Sequence, residues 1–514
     1  MFRIASNYGR IALGFACGLA TIRLQLSYGA DAFAAIMIAL VSIGVVASIR
    51  ETLTAAFVAP LANALHRPSP GLHHATQRVC LRIAAFAGVG SAGLILAYAA
   101  AGPLIGVPDG LAGATTILLS FKAAEAAFAI AMAPRLAECL VHEKPGRYNS
   151  WLFCERFGDL AAAAAPWVLG LDSAHHALMA YGATSSLLAV VVAWVHARPP
   201  ESPPLAYAPL DEQPVRAAVW SSIRANGAII LAANLYARVS LLQMSLWFGA
   251  PGATSFGIAN QLANYARQAA AGASTGVDAI AAKLQTAGRE SARDHFVARS
   301  TRLQAAIVLP TVATLAWHTE SALSAWLGEG LSELRWGPDR VAAVARWLMI
   351  GAAVRTIADA WLKVLAGISA AGRCSRFLIV SGVLNPVLGA VALAAASAGW
   401  GWLAPAIVLA TIQVICFGVL APTVTAAVLG VSRASLARPI VAPAVWTAAA
   451  FACGVAVERV GAGTAGQVVA FLAAYLLLAA LAVLRWLRVR NAIDRSTTDA
   501  MSGVSHPVVG RTAA

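Results

Sequence analysis

Charge is scarce in this chain: Asp, Glu, Lys and Arg together make up 12% of its 514 residues, about half the share usual in soluble domains. With 59% hydrophobic residues and a mean hydropathy of +0.72, the apolar surface exceeds what a soluble core can absorb. Lysine is nearly missing, 4 residues against 33 arginines. Paired cysteines are missing as well. Cys17, Cys80, Cys139, Cys154, Cys374, Cys416 and Cys453 show neither CxxC nor His-paired spacing, which excludes a zinc ribbon or a disulfide scaffold; they read as small buried hydrophobes.

Enzyme signatures are absent too. There is no GxxxxGK[ST], no HExxH and no GxSxG with triad partners, and the pairs His73–His74 and His175–His176 fall in connections rather than in ligand spacing. Neither catalysis, a cofactor nor a metal is expected. A net charge of +14 would suit nucleic acid, but the basic residues stand in short connections beside apolar runs without interleaved aromatics, so no nucleic-acid partner is expected. Arg3 and Arg10 precede an apolar run as in a signal peptide. No A-x-A site follows, so that run is read as an uncleaved first span.

What the chain has instead is a train of apolar segments of about 20 residues, each long enough to cross roughly 30 Å of hydrocarbon as a helix. The predicted spans are 9–27, 32–60, 80–101, 112–140, 151–171, 176–196, 225–248, 254–282, 303–326, 341–370, 377–398, 403–429, 439–457 and 466–487. Alternate connections carry the arginines: Arg3 and Arg10, Arg67 to Arg82, Lys144 and Arg147, Arg198 to Arg224, Lys283 to Arg302, Arg373 and Arg376, Arg433 and Arg438, Arg485 to Arg490. The opposite connections carry Asp31, Asp109, Asp172, a neutral "GAPGA", Glu329 with Glu333 and Asp339, "GWGW", and Glu458 with Arg459. By the positive-inside rule both termini are cytoplasmic, and about fourteen helices satisfy the alternation.

An internal repeat supports this layout. "SYGADAF" resembles "WFGAPGA" at an offset of 220 from Gly29 to Gly249, "IGVP" resembles "WLGE" at 222 from Gly106 to Gly328, and "PGRYNSW" resembles "AGRCSRF" at 226 from Gly146 to Gly372. Six-helix units in one orientation give parallel repeats. The expected organisation is an N-lobe at 1–197 (helices 1–6), a cytoplasmic inter-lobe linker at 198–224, a C-lobe at 225–430 (helices 7–12), helices 13 and 14 at 431–490, and a cytoplasmic polar tail at 491–514. The linker "RPPESPPLAYAPLDEQP" cannot be helical through its prolines.

Ionisable residues inside spans mark partners or a wet interior, because each costs roughly 2.5–3.5 kcal/mol at the bilayer centre. Spans 6, 11 and 12 carry essentially none, and are expected to face lipid or to pack as scaffold. Lys122 with Glu125 and Arg135 with Glu138 are i, i+3 pairs, Glu155 and Asp159 are i, i+4 with Arg156 beside them, and Arg355, Asp359 and Lys363 form an i, i+4, i+8 stripe. These groups suit either salt bridges within the lobes or ion coupling. Arg23, Arg238 and Arg267 have no carboxylate at i±3 or i±4, and Arg50 has only adjacent Glu51. This surplus positive charge suits a pyrophosphate, which guanidinium groups bind bidentately; the alternative for Arg23 and Arg50 is snorkelling to the headgroups. Asn260, Gln261, Asn264, Tyr265 and Gln268 around Arg267 make a polar face suited to a glycan.

The segments "SNYGRIALGFACGLATIRLQ", "FGIANQLANYARQ", "AWLGE" and "KVLAGISAAGR" together resemble the multidrug/oligosaccharidyl-lipid/polysaccharide exporter superfamily, in its O-antigen-type polysaccharide flippase branch. The resemblance implies an all-α integral membrane fold of about fourteen transmembrane helices, with two parallel six-helix lobes around a central cavity plus two C-terminal helices. It implies transport of undecaprenyl-pyrophosphate-linked oligosaccharide across the bacterial inner membrane by alternating access, with membrane lipid and the polysaccharide polymerase and chain-length machinery as further partners. Relatives place cavity arginines on helices 1, 2 and 8, where Arg23, Arg50 and Arg267 stand. "TIRLQLSYGA" replaces the "SRILG"-like turn of lipid II flippases, which argues against that substrate. A multidrug antiporter of the same fold, coupled through Glu125, Glu155 or Asp159, is the transporter alternative. A non-transporting subunit of a polysaccharide assembly complex is the alternative of a different class.

Overall fold

The computed structural model describes residues 2–66, 71–101, 107–142, 144–196, 212–274, 277–286, 288–328, 336–368, 370–396, 399–459 and 463–480. Every regular element among them is helical, as lipid requires of a chain whose backbone groups must be satisfied within each segment. The first series is α1 (Phe2–Leu26), α2 (Ala30–His66), α3 (Leu72–Ala100), α4 (Ala112–Ala131), α5 (Ala133–Val141), α6 (Pro145–Val168) and α7 (Ala174–His196). The second is α8 (Glu212–Ser274), α9 (Val277–Thr286), α10 (Glu290–Trp317), α11 (Thr319–Leu327), α12 (Gly337–Gly367), α13 (Gly372–Ala395), α14 (Ala404–Gln413), a π-helical stretch (Val414–Leu420) and α15 (Ala421–Leu429). Then come α16 (Arg433–Arg459) and α17 (Thr464–Ala480).

The repeat inferred from sequence has a backbone counterpart. Gly29, between α1 and α2, and Gly249, at the kink inside α8, both take a positive φ, 99° and 62°, a conformation that glycine reaches at little steric cost. At the third matched pair, Pro145–Gly146 opens α6 and Gly372 opens α13. Thus α8 is two helices in one, joined by a left-handed turn equivalent to that between α1 and α2.

Several boundaries differ from the sequence reading. Span 4 breaks at Met132 into α4 and α5, with Pro134 in the first turn of α5, where a proline needs no amide partner but cannot continue the preceding helix. Span 8 divides into the end of α8 and α9, and span 9 breaks at His318 between α10 and α11. The second part of the expected linker, from Glu212, is already helical, with Pro214 in the first turn of α8. It is tied down as well: Arg82 donates to Glu212 at 2.7 Å, and Ser222 donates to the Ala56 carbonyl at 2.7 Å. The Pro-rich 198–211, the tail 491–514 and the side chains of Arg3, Arg67, Asp109, Arg198, Lys283, Glu329, Glu333, Arg485, Arg488 and Arg490 lie outside the described residues.

Among the described residues, seven helical stretches are apolar and long enough to cross a membrane, namely Leu72–Ala100, Ala112–Val141, Ala174–His196, Gly337–Gly367, Gly372–Ala395, Ala404–Leu429 and Arg433–Arg459. Several of the others, α1, α2, α6, α8 and α10, carry ionisable residues within their length. On α13, Val380, Val383, Leu384, Val387, Leu388 and Val391 are all exposed, the i, i+3, i+4, i+7 spacing of one face. Helix α7 likewise turns Leu187, Val191, Trp194 and Val195 outward. These are the charge-free spans 11 and 6, and their outer faces suit lipid. The chain is a multi-pass membrane protein.

Two compact units divide at Ile440 and Val441. In the first, residues up to 440, α2 packs most extensively on α8, α3 on α4, α6 on α7, and both α12 and α13 on α8. In the second, Ala450 of α16 and Phe471 of α17 are buried, the rings of Phe471 and Tyr475 are stacked at 6.5 Å, and Val441, Val445, Val469 and Leu476 are exposed.

Candidate functional site

The charged residues of the first series are knitted into a network. Lys122 Nζ donates to Glu125 Oε2 at 2.7 Å and lies 5.5 Å from the Tyr181 ring centroid, while Ser186 donates to the same carboxylate at 3.2 Å. The helical pairs read from spacing therefore form, on α4 and also on α5, where Arg135 meets Glu138 at 3.0 Å. On α6, Arg156 comes no closer to Asp159 than 3.8 Å, and Lys122 and Glu125 act on Asp159 electrostatically from α4.

Arg50 departs from the sequence reading of surplus charge. Its two terminal nitrogens donate to both oxygens of Glu155 at 2.6 and 2.8 Å, and Trp151 Nε1 adds a third donor to Glu155 at 2.9 Å. The partner lies 105 residues away on α6, beyond the reach of local spacing. Glu155 is thereby occupied by Arg50 rather than by its own helix, and the pair fastens α2 to α6. Arg23 stands in the last turn of α1, exposed, with a terminal nitrogen 3.9 Å from the position a Cβ of Gly328 would take. That places Arg23 beside the turn at Gly328 that follows α11.

Arg238 and Arg267 both stand on α8. The Nε of each is buried without a hydrogen-bond partner, and among the described residues neither forms an ion pair. Arg238 lies against α2 at Gly44, where a Cβ would fall 2.2 Å from its Cζ. Only a residue without a side chain lets the guanidinium lie there. Glu51, Arg156 and Arg267 act on it electrostatically. Arg267 in turn acts on Arg355 and Lys363. Cations from α6, α8 and α12 thus share one field, with Glu51, Asp278 and Asp359 as carboxylates within it. Sequence reasoning missed Glu51 and Arg156 here, although their place was legible: one residue on from Arg50 and from Glu155, each is turned about 100° around its helix, away from the pair.

The α12 stripe does not close as a chain of salt bridges. Lys363 donates to the Ser274 carbonyl at 3.0 Å and its hydroxyl at 2.7 Å, tying α12 to the end of α8. Arg355 faces the ring of Phe417 in the π-helical stretch at 5.9 Å. Asp359, half-buried between them, forms no ion pair within 4.0 Å among the described residues.

The expected glycan face divides in two. Gln261, Asn264 and Gln268 are half-buried, and Asn260 is buried. Tyr265 is taken up by packing: its ring makes edge contacts with Phe15 of α1 at 4.7 Å and Trp326 of α11 at 5.8 Å, and its hydroxyl is buried without a partner. Trp326 Nε1 donates to the Leu19 carbonyl at 3.1 Å, completing a latch between α1, α8 and α11. Near it, residues 32–39 of α2 are buried on every side. Further along the same helix, Glu51, Ala55, Ala59 and Asn63 are all exposed, an i, i+4, i+8, i+12 stripe too small and polar for lipid. Helix α2 is encased toward the acid-and-neutral end and open toward the arginine-rich end.

The helices thus fall into two series of similar order, α1–α7 and α8–α15. No family model and no curated protein matches the sequence. Among solved structures, the chain is similar to a multidrug resistance MATE family transporter of the MOP superfamily in its inward-facing conformation, at TM-score 0.67 and 10% identity over 84% of this chain and 99% of that one. It is similar to the lipid II flippase MurJ in an inward closed conformation, at 0.65 and 9% over 95% and 99%. A third is a MOP superfamily transporter from Pyrococcus furiosus, at 0.60 and 10% over 84% and 96%. The fold is that of the MOP superfamily transporters.

Proposed function

We propose that this protein belongs to that superfamily and is a flippase for polyprenyl-pyrophosphate-linked oligosaccharide in the bacterial inner membrane, with both termini cytoplasmic. The observation that carries this reading is the two guanidinium groups on α8, Arg238 and Arg267, each with a buried Nε that has no hydrogen-bond partner and neither in an ion pair among the described residues. A lone buried cation is costly to keep, and two in one field are kept for an anion. Arginine suits a pyrophosphate because its charge is permanent and its donors are bidentate. In this reading the diphosphate docks on Arg238 and Arg267, Gln261, Asn264 and Gln268 contact the glycan, and the prenyl chain stays in lipid.

Alternating access follows from the latch and the open stripe. The cleft accepts the head from the arginine-rich, cytoplasmic side; rocking of the lobes at 1–197 and 225–430 then breaks the Phe15–Tyr265 and Leu19–Trp326 contacts and opens the other side. Asp159, 3.8 Å from Arg156, and Asp359, without an ion pair among the described residues, are the coupling sites of this cycle, and Arg50–Glu155 is a lobe strut. MurJ is by name a lipid II flippase, which supports a lipid-linked cargo here; the polymerase and chain-length machinery would receive the product. A multidrug reading needs a cationic cargo in a field of Arg156, Arg238, Arg267 and Arg355, and like-charge repulsion opposes it. In the Pyrococcus transporter the reverse polarity of the binding pocket suggests a different function, and the polarity here is positive.

The test is transport of a fluorescent undecaprenyl-pyrophosphate glycan by purified protein in liposomes. Arg267→Ala is expected to abolish it and Arg267→Lys to restore a part, since lysine keeps charge but loses the bidentate geometry. Undiminished transport by correctly folded Arg267→Ala protein would reject the docking role.

A further inference from the structure

At the arginine-rich end of the first series, away from the α8 cations, a small cavity opens where α5, α6 and α7 meet. It holds about 10 Å³, room for one water-sized group. Arg135, Glu138, His142, Lys144, Arg147 and His196 line it. Lys144 is the residue preceding α6 and is exposed, so its ammonium is free to swing over the mouth.

Two atoms in the lining lack partners. Glu138 is 3% exposed, and one of its oxygens is taken by Arg135 at 3.0 Å while Oε1 is buried with none. His142 Nε2 is buried with none either. An orphaned carboxylate oxygen demands a donor, and leaving it unmet costs about 1–3 kcal/mol or more. Among the lining residues, Arg135, Lys144 and Arg147 stand with one carboxylate, Glu138. Arg147 braces the wall by donating to the His196 carbonyl at 2.6 Å, and His196 is held in turn by the Val192 carbonyl at 2.8 Å and Ser150 at 3.2 Å.

These demands fit one chemistry. We propose that the cavity binds a phosphate-bearing group that also carries a hydroxyl: the hydroxyl enters and donates to Glu138 Oε1, and the phosphate rests at the mouth against Lys144 and Arg147. Phosphatidylglycerol and inorganic hydrogen phosphate both meet this description. The surroundings favour the lipid, because Leu140, Trp194 and Val195, each within two residues of a lining residue, present exposed apolar side chains where acyl chains would run. Basic pockets between transmembrane helices on the cytoplasmic side are suited to anionic headgroups.

Native mass spectrometry of the delipidated full-length protein tests the site. The titrants are phosphatidylglycerol, phosphatidylmethanol (anionic, without a headgroup hydroxyl), phosphatidylethanolamine and inorganic phosphate. One phosphatidylglycerol should bind tighter than either other lipid, and Lys144→Gln should weaken it about fivefold, the worth of one basic residue near a headgroup. Arg302→Gln, an exposed arginine elsewhere, should change nothing. Binding of inorganic phosphate alone with the same Lys144 dependence also supports the site and assigns its source to free phosphate. Equal affinity for phosphatidylmethanol, indifference to Lys144→Gln, or binding of none of these ligands would overturn the proposal.

Discussion

Breaking the Arg50–Glu155 pair one side at a time puts a number on the strut between α2 and α6. The side chains are 17% and 18% exposed, so most of each charge is out of water, and two charge-assisted bonds of 2.6 and 2.8 Å join them. Glu155→Gln leaves the guanidinium facing a neutral amide, and Arg50→Gln leaves the carboxylate with Trp151 alone. Removing one partner of a buried pair costs about 3–5 kcal/mol, and the residual exposure places these variants near 3 kcal/mol. The double variant leaves two neutral amides able to bond each other, so its cost should fall short of the sum by about 3 kcal/mol. Unfolding by SDS titration in mixed micelles measures all four proteins. Additive costs, or single variants within about 0.5 kcal/mol of the parent, would refute the strut.

Gly44→Ala places a methyl group where the Arg238 Cζ lies 2.2 Å away; because the obstacle is a flexible side chain, the fold should survive while substrate affinity falls several-fold, measured as KM against kcat in the liposome assay. Tyr265→Phe removes a buried hydroxyl without a partner, so thermal stability should hold or rise by up to about 1 kcal/mol equivalent. Transport should persist in that variant, and its loss with stability intact would show that Tyr265 contacts the glycan.

Short-range features were the ones visible before the structure. Helical spacing placed Lys122 beside Glu125 and Arg135 beside Glu138, and both pairs form at 2.7 and 3.0 Å, because i, i+3 neighbours meet on any helix. The matched turns at Gly29 and Gly249 were likewise legible, since a left-handed turn restricts the residues that fill it. The Arg50–Glu155 pair was hidden by 105 intervening residues, and Lys363, correctly spaced for Asp359, turned instead to Ser274 across a helix contact no periodicity reports. The break at Met132 was missed because the apolar run continues through Pro134, which lipid tolerates when neighbouring helices complete the bonding. Tyr265 belongs to a polar-looking face in sequence, but α1 and α11 cover it.

The separation of Arg50 from Glu155 along the chain also bears on how the protein is made. When α2 emerges from the ribosome its guanidinium lacks its bidentate partner and has only the adjacent Glu51 nearby, and lodging it in hydrocarbon is unfavourable by roughly 2.5–3.5 kcal/mol. The carboxylate that cancels this arrives only with α6. The first helices therefore enter the bilayer loosely or wait at its edge, and biogenesis of the opening half of the chain is complete only once residue 155 has been translated.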